Sequence, residues 1–183
     1  MKKALEQALS VFSGLHELRN ELDHAAHMTI ATLRNGHKLL ICGNGGSACE
    51  AQHLAGEFAG RYKQDRRALA AVSLNADGAV LTCIGNDYRF EDIFARQLEA
   101  IGKPGDLLVV FTTSGQSPNI LKALEVARRL GIASLAFLGR DGGAATRLAD
   151  CSLIVPHLDT ARIQEAHQFL LHCLMDEIER EII

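Results

Sequence analysis

The chain lacks most of the features that mark a nucleic-acid binder, a disulfide scaffold or a membrane protein. Its formal net charge is only −3, and its 19 lysines and arginines are scattered among 22 acidic residues. It therefore has no positive stripe of the kind that grips a phosphate backbone, and nucleic acid is not an expected ligand. Cysteine is sparse: Cys42, Cys49, Cys83, Cys151 and Cys173 are odd in number and contain no Cys-x-x-Cys pair. Reduced thiols in a cytoplasm are expected rather than disulfides. No stretch approaches the ~20 apolar residues that span a bilayer. Glu6 interrupts the opening Met1-Lys2-Lys3-Ala4-Leu5 before it can become a signal peptide. A cytoplasmic protein without membrane contact is expected. Proline is rare at three residues, and the 16 glycines gather at a few turns. No linker, internal repeat or low-complexity tract breaks the chain, so disorder is not expected either.

The 183 residues, 48% of them hydrophobic, suit one domain spanning 1–183, whose folding hides roughly 70% of the unfolded surface without a structural metal. In residues 1–35, Leu5, Leu9, Phe12, Leu15, Leu18 and Leu22 recur at steps of three and four, a helical stripe that ends near Asn35-Gly36. A repeating unit follows: a short apolar run, a glycine- or hydroxyl-rich turn, then an amphipathic helix. Strands are predicted at 38–42, 70–74, 107–111, 134–138 and 152–155, with helices near 47–61, 77–84, 89–101, 118–130, 143–149 and 161–182. Apolar strands without polar alternation, separated by helices, predict an α/β fold with a parallel sheet covered on both faces. The last helix carries Ile163, Ala166, Leu170, Leu174, Ile178 and Ile182 along one side, with Phe169, Leu171 and Met175 beside them. That breadth exceeds one core-facing stripe, as does the surplus in the first helix, and points to a homo-oligomer.

In an open parallel sheet, ligands sit beyond the carboxyl ends of the strands. The loop after the third predicted strand, Thr112-Thr113-Ser114-Gly115-Gln116-Ser117-Pro118-Asn119, holds four hydroxyls within six residues. Gly115 permits close backbone approach, Ser117 suits an N-cap and Pro118 the first helical position. With a helix N-terminus behind it, the loop suits a phosphate dianion better than a plain capped turn, which uses one hydroxyl. The loop Gly43-Asn44-Gly45-Gly46-Ser47 is neither a dinucleotide fingerprint nor a P-loop, and a tight turn explains it equally well. Asp141-Gly142-Gly143 reads as a structural turn. His53 and Glu57 stand four apart on a predicted helix and share a face. Gln164 and His172 lie eight apart on the last helix, separated by a rise of about 12 Å. This set suits general acid–base work, a divalent metal, or no more than polar helix surface, and spacing leaves the three open. His16, His24, His27, His37, His157 and His167 have no such company.

Taken in order, Gly43-Asn44-Gly45-Gly46-Ser47, His53, Glu57, Ile84-Gly85-Asn86-Asp87, Thr112-Thr113-Ser114-Gly115-Gln116-Ser117, Arg162-Ile163-Gln164-Glu165 and His172 resemble the sedoheptulose-7-phosphate isomerases (phosphoheptose isomerases) of the sugar isomerase (SIS) domain proteins. The resemblance runs along nearly the whole chain. It implies a flavodoxin-like SIS domain with a five-stranded parallel sheet, long terminal helices, and a homotetramer in which residues 1–35 also pack on neighbouring subunits. It further implies conversion of sedoheptulose 7-phosphate to D-glycero-D-manno-heptose 7-phosphate, an early step towards nucleotide-activated heptose. Glu57 would be the base and His172 its acid partner, and one Zn2+ per subunit would take His53, Glu57, Gln164 and His172. Ser47, Thr112, Ser114 and Ser117 match phosphate-contacting positions; Asn44, Asp87 and Gln164 line the sugar, with Gly45, Gly46 and Thr113 also in the substrate-binding set. Thr112 stands where some members have serine, Gln116 replaces a commoner asparagine, and Ala161 stands where some have an acid, which removes any role for that carboxylate here. The same fold also serves as a non-catalytic tetrameric adaptor for the bacterial replication initiator. The presence of Glu57 favours the enzyme. A sugar-phosphate sensor would need a DNA-binding domain for which 183 residues leave no room.

Overall fold

The computed structural model describes residues 1–182. Helices α1 (Lys2–Gly14) and α2 (Arg19–Arg34) precede the sheet. Strands β1 (Leu39–Gly43), β2 (Ala71–Ser73), β3 (Leu107–Thr112), β4 (Ala133–Gly139) and β5 (Cys151–Val155) alternate with helices α3 (Gly46–Ala59), α4 (Gly78–Asp87), α5 (Ala95–Ile101) and α6 (Pro118–Arg129), and α7 (Thr160–Ile182) closes the chain. The strands lie in the order β2-β1-β3-β4-β5, all neighbours parallel. This is the flavodoxin-like order, and the switch point, where the winding reverses, lies between β1 and β3.

Strand alternation sends side chains to both faces. Leu39, Ile41, Leu107, Val109, Phe111, Leu135, Phe137 and Leu153 join one core with α2, α3 and α7 residues. Leu40, Cys42, Leu108, Val110, Ala136 and Leu138 join the other with α4, α5 and α6. The predicted helix at 89–101 is interrupted: a 3-10 turn at Phe90–Asp92 precedes α5. The predicted helix at 143–149 is a 3-10 turn at Gly143–Arg147, because Gly142 and Gly143 both have positive φ and start it from a left-handed corner. No residue of α1 is buried, and its Leu5 and Leu9 are 58% and 60% exposed. Among the described residues, no helix is long and apolar enough to cross a membrane.

Candidate active site

The two loops picked out by their glycines and hydroxyls flank the switch point and form one cavity of about 290 Å³. Asn44, Gly45, Gly46, Ser47, Thr112, Thr113, Ser114 and Ser117 all line it, together with Gln164 and with Phe111 and Thr160, which sequence reasoning missed. Three helices begin here: Ser47 lies in the first turn of α3, Ser117 precedes α6 at its N-cap position, and Thr160 starts α7. Their amide dipoles favour an anion, and among the lining residues none is Lys or Arg. Thr112 Oγ1 accepts from the Gly115 N–H at 3.2 Å, and Ser114 Oγ accepts from the Gln116 N–H at 3.2 Å. Both hydroxyl protons stay free to donate outward. Among the described residues the Ser117 side chain makes no cap hydrogen bond, which leaves its hydroxyl available to a ligand.

Non-local contacts hold the loops. Gly115 has φ +61°, and a Cβ there would collide with the Gly142 carbonyl oxygen, so the Asp141–Gly143 turn braces the hydroxyl loop. A Cβ on Gly46 would lie 2.5 Å from Gln164 Nε2. Asn44 and Asn119 exchange amide hydrogen bonds in both directions, at 2.9 and 2.8 Å, which ties the β1 loop to the first turn of α6. Both Asn44 polar atoms thus act within the fold. Asn75 pairs with the Gly43 backbone N–H and C=O at 3.1 and 2.9 Å, like an additional strand residue.

Further along α3 and α7 lies the second cluster. His53 Nε2 and Glu57 Oε1 are 3.0 Å apart, and His172 Nε2 and His53 Nε2 are 3.3 Å apart. Gln168 is new to the set: its Nε2 is 3.2 Å from His53 Nδ1 and 3.2 Å from His172 Nε2. Gln164, Gln168 and His172 follow at steps of four along one helix face, with Gln164 at the cavity and Gln168 between the histidines. The signal was present in that spacing. The Tyr62 ring stacks on His172 with centroids 5.4 Å apart and planes at 20°. Burial first, then the neighbouring His53, holds the His172 imidazole below its ordinary pKa; Glu57 opposes this without reversing it.

One donor atom each from His53, Glu57 and His172 lies within 4.8 Å of the others. Glu57 Oε2 is buried without a hydrogen-bond partner. Two imidazoles and a carboxylate with one unpaired buried oxygen suit a divalent cation, which would supply the positive partner this oxygen lacks. Asp87 ends α4, where it accepts from Asn86 Nδ2 at 2.8 Å, and is not among the residues lining the cavity. His167, which had no company in the sequence, is fully buried and donates to the Leu138 carbonyl through Nε2 at 3.0 Å.

An anion cradle at the switch point, with a carboxylate–imidazole group further along the same two helices, defines a domain that handles phosphorylated sugars. Residues 5–139 match the SIS domain family. The chain is 49% identical over 179 residues to a phosphoheptose isomerase of Helicobacter pylori (strain P12), covering 98% of this chain and 93% of that one. It is 43% identical over 182 residues to the phosphoheptose isomerase of Aliarcobacter butzleri (strain RM4018), covering 100% and 96%. The solved phosphoheptose isomerase structure from Neisseria gonorrhoeae superposes with a TM-score of 0.93 at 39% identity, covering 98% of this chain and 96% of that one. One from Francisella tularensis gives 0.95 at 36% identity with the same coverage. The chain belongs to the phosphoheptose isomerase family of SIS-domain proteins and is a sugar-phosphate isomerase. The adaptor reading gains no support from these relatives.

Proposed function

We propose that the protein converts sedoheptulose 7-phosphate to D-glycero-D-manno-heptose 7-phosphate in the cytoplasm, as a homotetramer. One observation carries the reading: α3 and α7 each begin at the cradle and each carry part of the acid–base cluster at a similar offset. From Ser47, His53 and Glu57 lie six and ten residues on, a rise of about 9 and 15 Å; from Gln164, His172 lies about 12 Å on. An extended heptose phosphate held at one end matches that span.

The phosphate rests on the hydroxyls of Ser47, Thr112, Ser114 and Ser117 and the helix N-termini, which aligns the far end of the sugar. Glu57 takes a proton from C1 of the ketose, the electrons form the C1–C2 double bond, and O2 gains a proton to give the enediol. Collapse from O1 then forms the aldehyde as C2 takes a proton back, and His172 moves protons at the oxygens. Glu57 serves as the base, its two carboxylate oxygens sharing that role with the metal position. His53, Glu57 and His172 would hold one Zn2+ per subunit, with Gln164 the fourth donor expected from the family resemblance. Such an ion would polarise the sugar oxygens and stabilise developing negative charge. The exposed Leu5 and Leu9 of α1, with Phe12 packed at a tilt against the half-exposed Phe169 of α7, centroids 5.2 Å apart, support burial of residues 1–35 between subunits.

The test is purified protein with sedoheptulose 7-phosphate, followed for the aldose by NMR before and after chelation and Zn2+ return. Aldose formation that falls on chelation and recovers with zinc is expected. No aldose in metal-replete protein overturns the reaction, and full activity in demonstrably metal-free protein overturns the zinc.

A further inference from the structure

The segment after α3 shows no hydrophobic period, yet its Arg66 forms a buried ion pair with Glu179 of α7. Arg66 and Glu179 have side chains only 3% and 5% exposed, with Nε–Oε1 at 3.1 Å. Glu179 also accepts the backbone N–H groups of Tyr62, Lys63 and Gln64 at 3.2, 3.1 and 3.1 Å. The rest of the Arg66 guanidinium bonds carbonyl oxygens at the end of α3: Nη2 to Glu57 at 2.6 Å and Nη1 to Phe58 at 3.0 Å. A guanidinium at a helix C-terminus satisfies carbonyls that have no partner within the helix.

A buried ion pair adds little stability over a well-packed apolar pair, so stability does not account for it. Its geometric output does. Glu57 is a reacting carboxylate of the proposed chemistry, and Arg66 grips that residue's own carbonyl. Glu179 lies seven residues beyond His172 on α7, two turns along the same face. By anchoring the Tyr62 amide, Glu179 also holds the loop whose ring covers His172. One pair therefore sets the end of α3, the position of α7 and the packing of the His172 imidazole.

We propose that Arg66 and Tyr62 are positioning residues of the isomerisation, acting with Glu179 to fix the Glu57 carboxylate and the His172 ring relative to each other. The inference rests on the acid–base assignment above. Misplacement of reacting groups by about 1 Å costs on the order of 100-fold in rate. The phosphate cradle belongs to other loops, so substrate binding is left largely alone.

The experiment compares Arg66→Lys, Glu179→Gln, Tyr62→Leu and Tyr62→Phe with the wild type, measuring kcat, KM and Tm together with the His172 ring resonances in histidine-labelled protein. Lysine cannot bond Glu179 and two carbonyls at once, and leucine cannot stack. For Arg66→Lys, Glu179→Gln and Tyr62→Leu, a fall in kcat of about 10- to 100-fold is expected with KM within about threefold, alongside a loss of the ring-current shift at His172. Tyr62→Phe, which keeps the ring, should retain both. Should Arg66→Lys fail to fold, Tyr62→Leu leaves the buried pair intact and still decides. Wild-type kcat in folded Tyr62→Leu, an equal loss in Tyr62→Phe, or unchanged His172 resonances overturns the proposal. If the wild type itself does not turn over sedoheptulose 7-phosphate, the proposed reaction fails, and the resonances alone then judge the positioning.

Discussion

Glu57→Gln separates chemistry from architecture, because glutamine keeps the shape of the side chain and removes its basicity. In the fold, Oε1 faces His53 Nε2 at 3.0 Å and Oε2 is buried without a partner. The amide oxygen can keep the His53 contact while the amide nitrogen takes the Oε2 position. One unpaired buried atom thus replaces another, and the cost to the fold is at most the ~1–3 kcal/mol of an unsatisfied group. For a chain of this size that is a drop of a few degrees in Tm, at about 2–4 °C per kcal/mol. The effect on rate is much larger. A positioned general base contributes about 10²- to 10⁴-fold, equivalent to about 3–5 kcal/mol at 1.36 kcal/mol per tenfold. The assay runs in D2O with sedoheptulose 7-phosphate: the wild type should place solvent deuterium on C2 of the aldose, and the variant should lose both product and label by about 10²- to 10⁴-fold. A folded Glu57→Gln protein with near-normal turnover would remove Glu57 from the mechanism.

The Ser117 hydroxyl makes no cap hydrogen bond among the described residues, so Ser117→Ala should leave Tm unchanged and raise KM by about 10- to 100-fold, the effect of losing one hydrogen bond of ~1.5–3 kcal/mol to a charged group; an unchanged KM excludes this hydroxyl from phosphate binding. His172 is held below its ordinary pKa, chiefly by burial, so its neutral form is favoured in the folded state. Its contribution to stability is therefore complete above the ordinary histidine value of ~6.5 and is lost as pH falls through the lower folded value. The His172 part of the Tm profile should therefore lie below pH ~6.5 and be missing in His172→Gln, and a His172-dependent fall in Tm centred above that value contradicts the burial argument. Leu9 is 60% exposed on α1, so Leu9→Glu should reduce the oligomer to smaller species in sedimentation velocity without unfolding the subunit; an unchanged tetramer, or a wild-type monomer, refutes the assignment of α1 to the interface.

What was legible in the sequence was whatever a local pattern encodes. Five apolar runs separated by helical periods predicted the parallel sheet, and the strands begin and end within two residues of expectation. Once the order β2-β1-β3-β4-β5 is known, the switch point brings together the two loops that glycine and hydroxyl content had already picked out. The interruption of the helix predicted at 89–101 and the 3-10 turn at Gly143–Arg147 were less legible, because periodicity marks an apolar face better than it marks where backbone bonds tighten.

The remainder depends on pairings with no sequence period. Asn44 and Asn119 are 75 residues apart, and neither residue type at its position announces a reciprocal amide pair. Arg66 and Glu179 are 113 apart, and a buried arginine and glutamate look the same in sequence as the exposed charges around them. Gln168 stood in view on the face it shares with Gln164 and His172, but only the approach of α3 to α7 makes it a neighbour of His53. Chemistry-bearing residue types are therefore readable where a turn concentrates them, as at Thr112–Ser117. The contacts that aim them are distributed across the fold. It follows that substitutions at the cradle should act mainly on substrate affinity, whereas substitutions at Tyr62, Arg66 and Glu179, which touch no cradle residue, should act mainly on turnover.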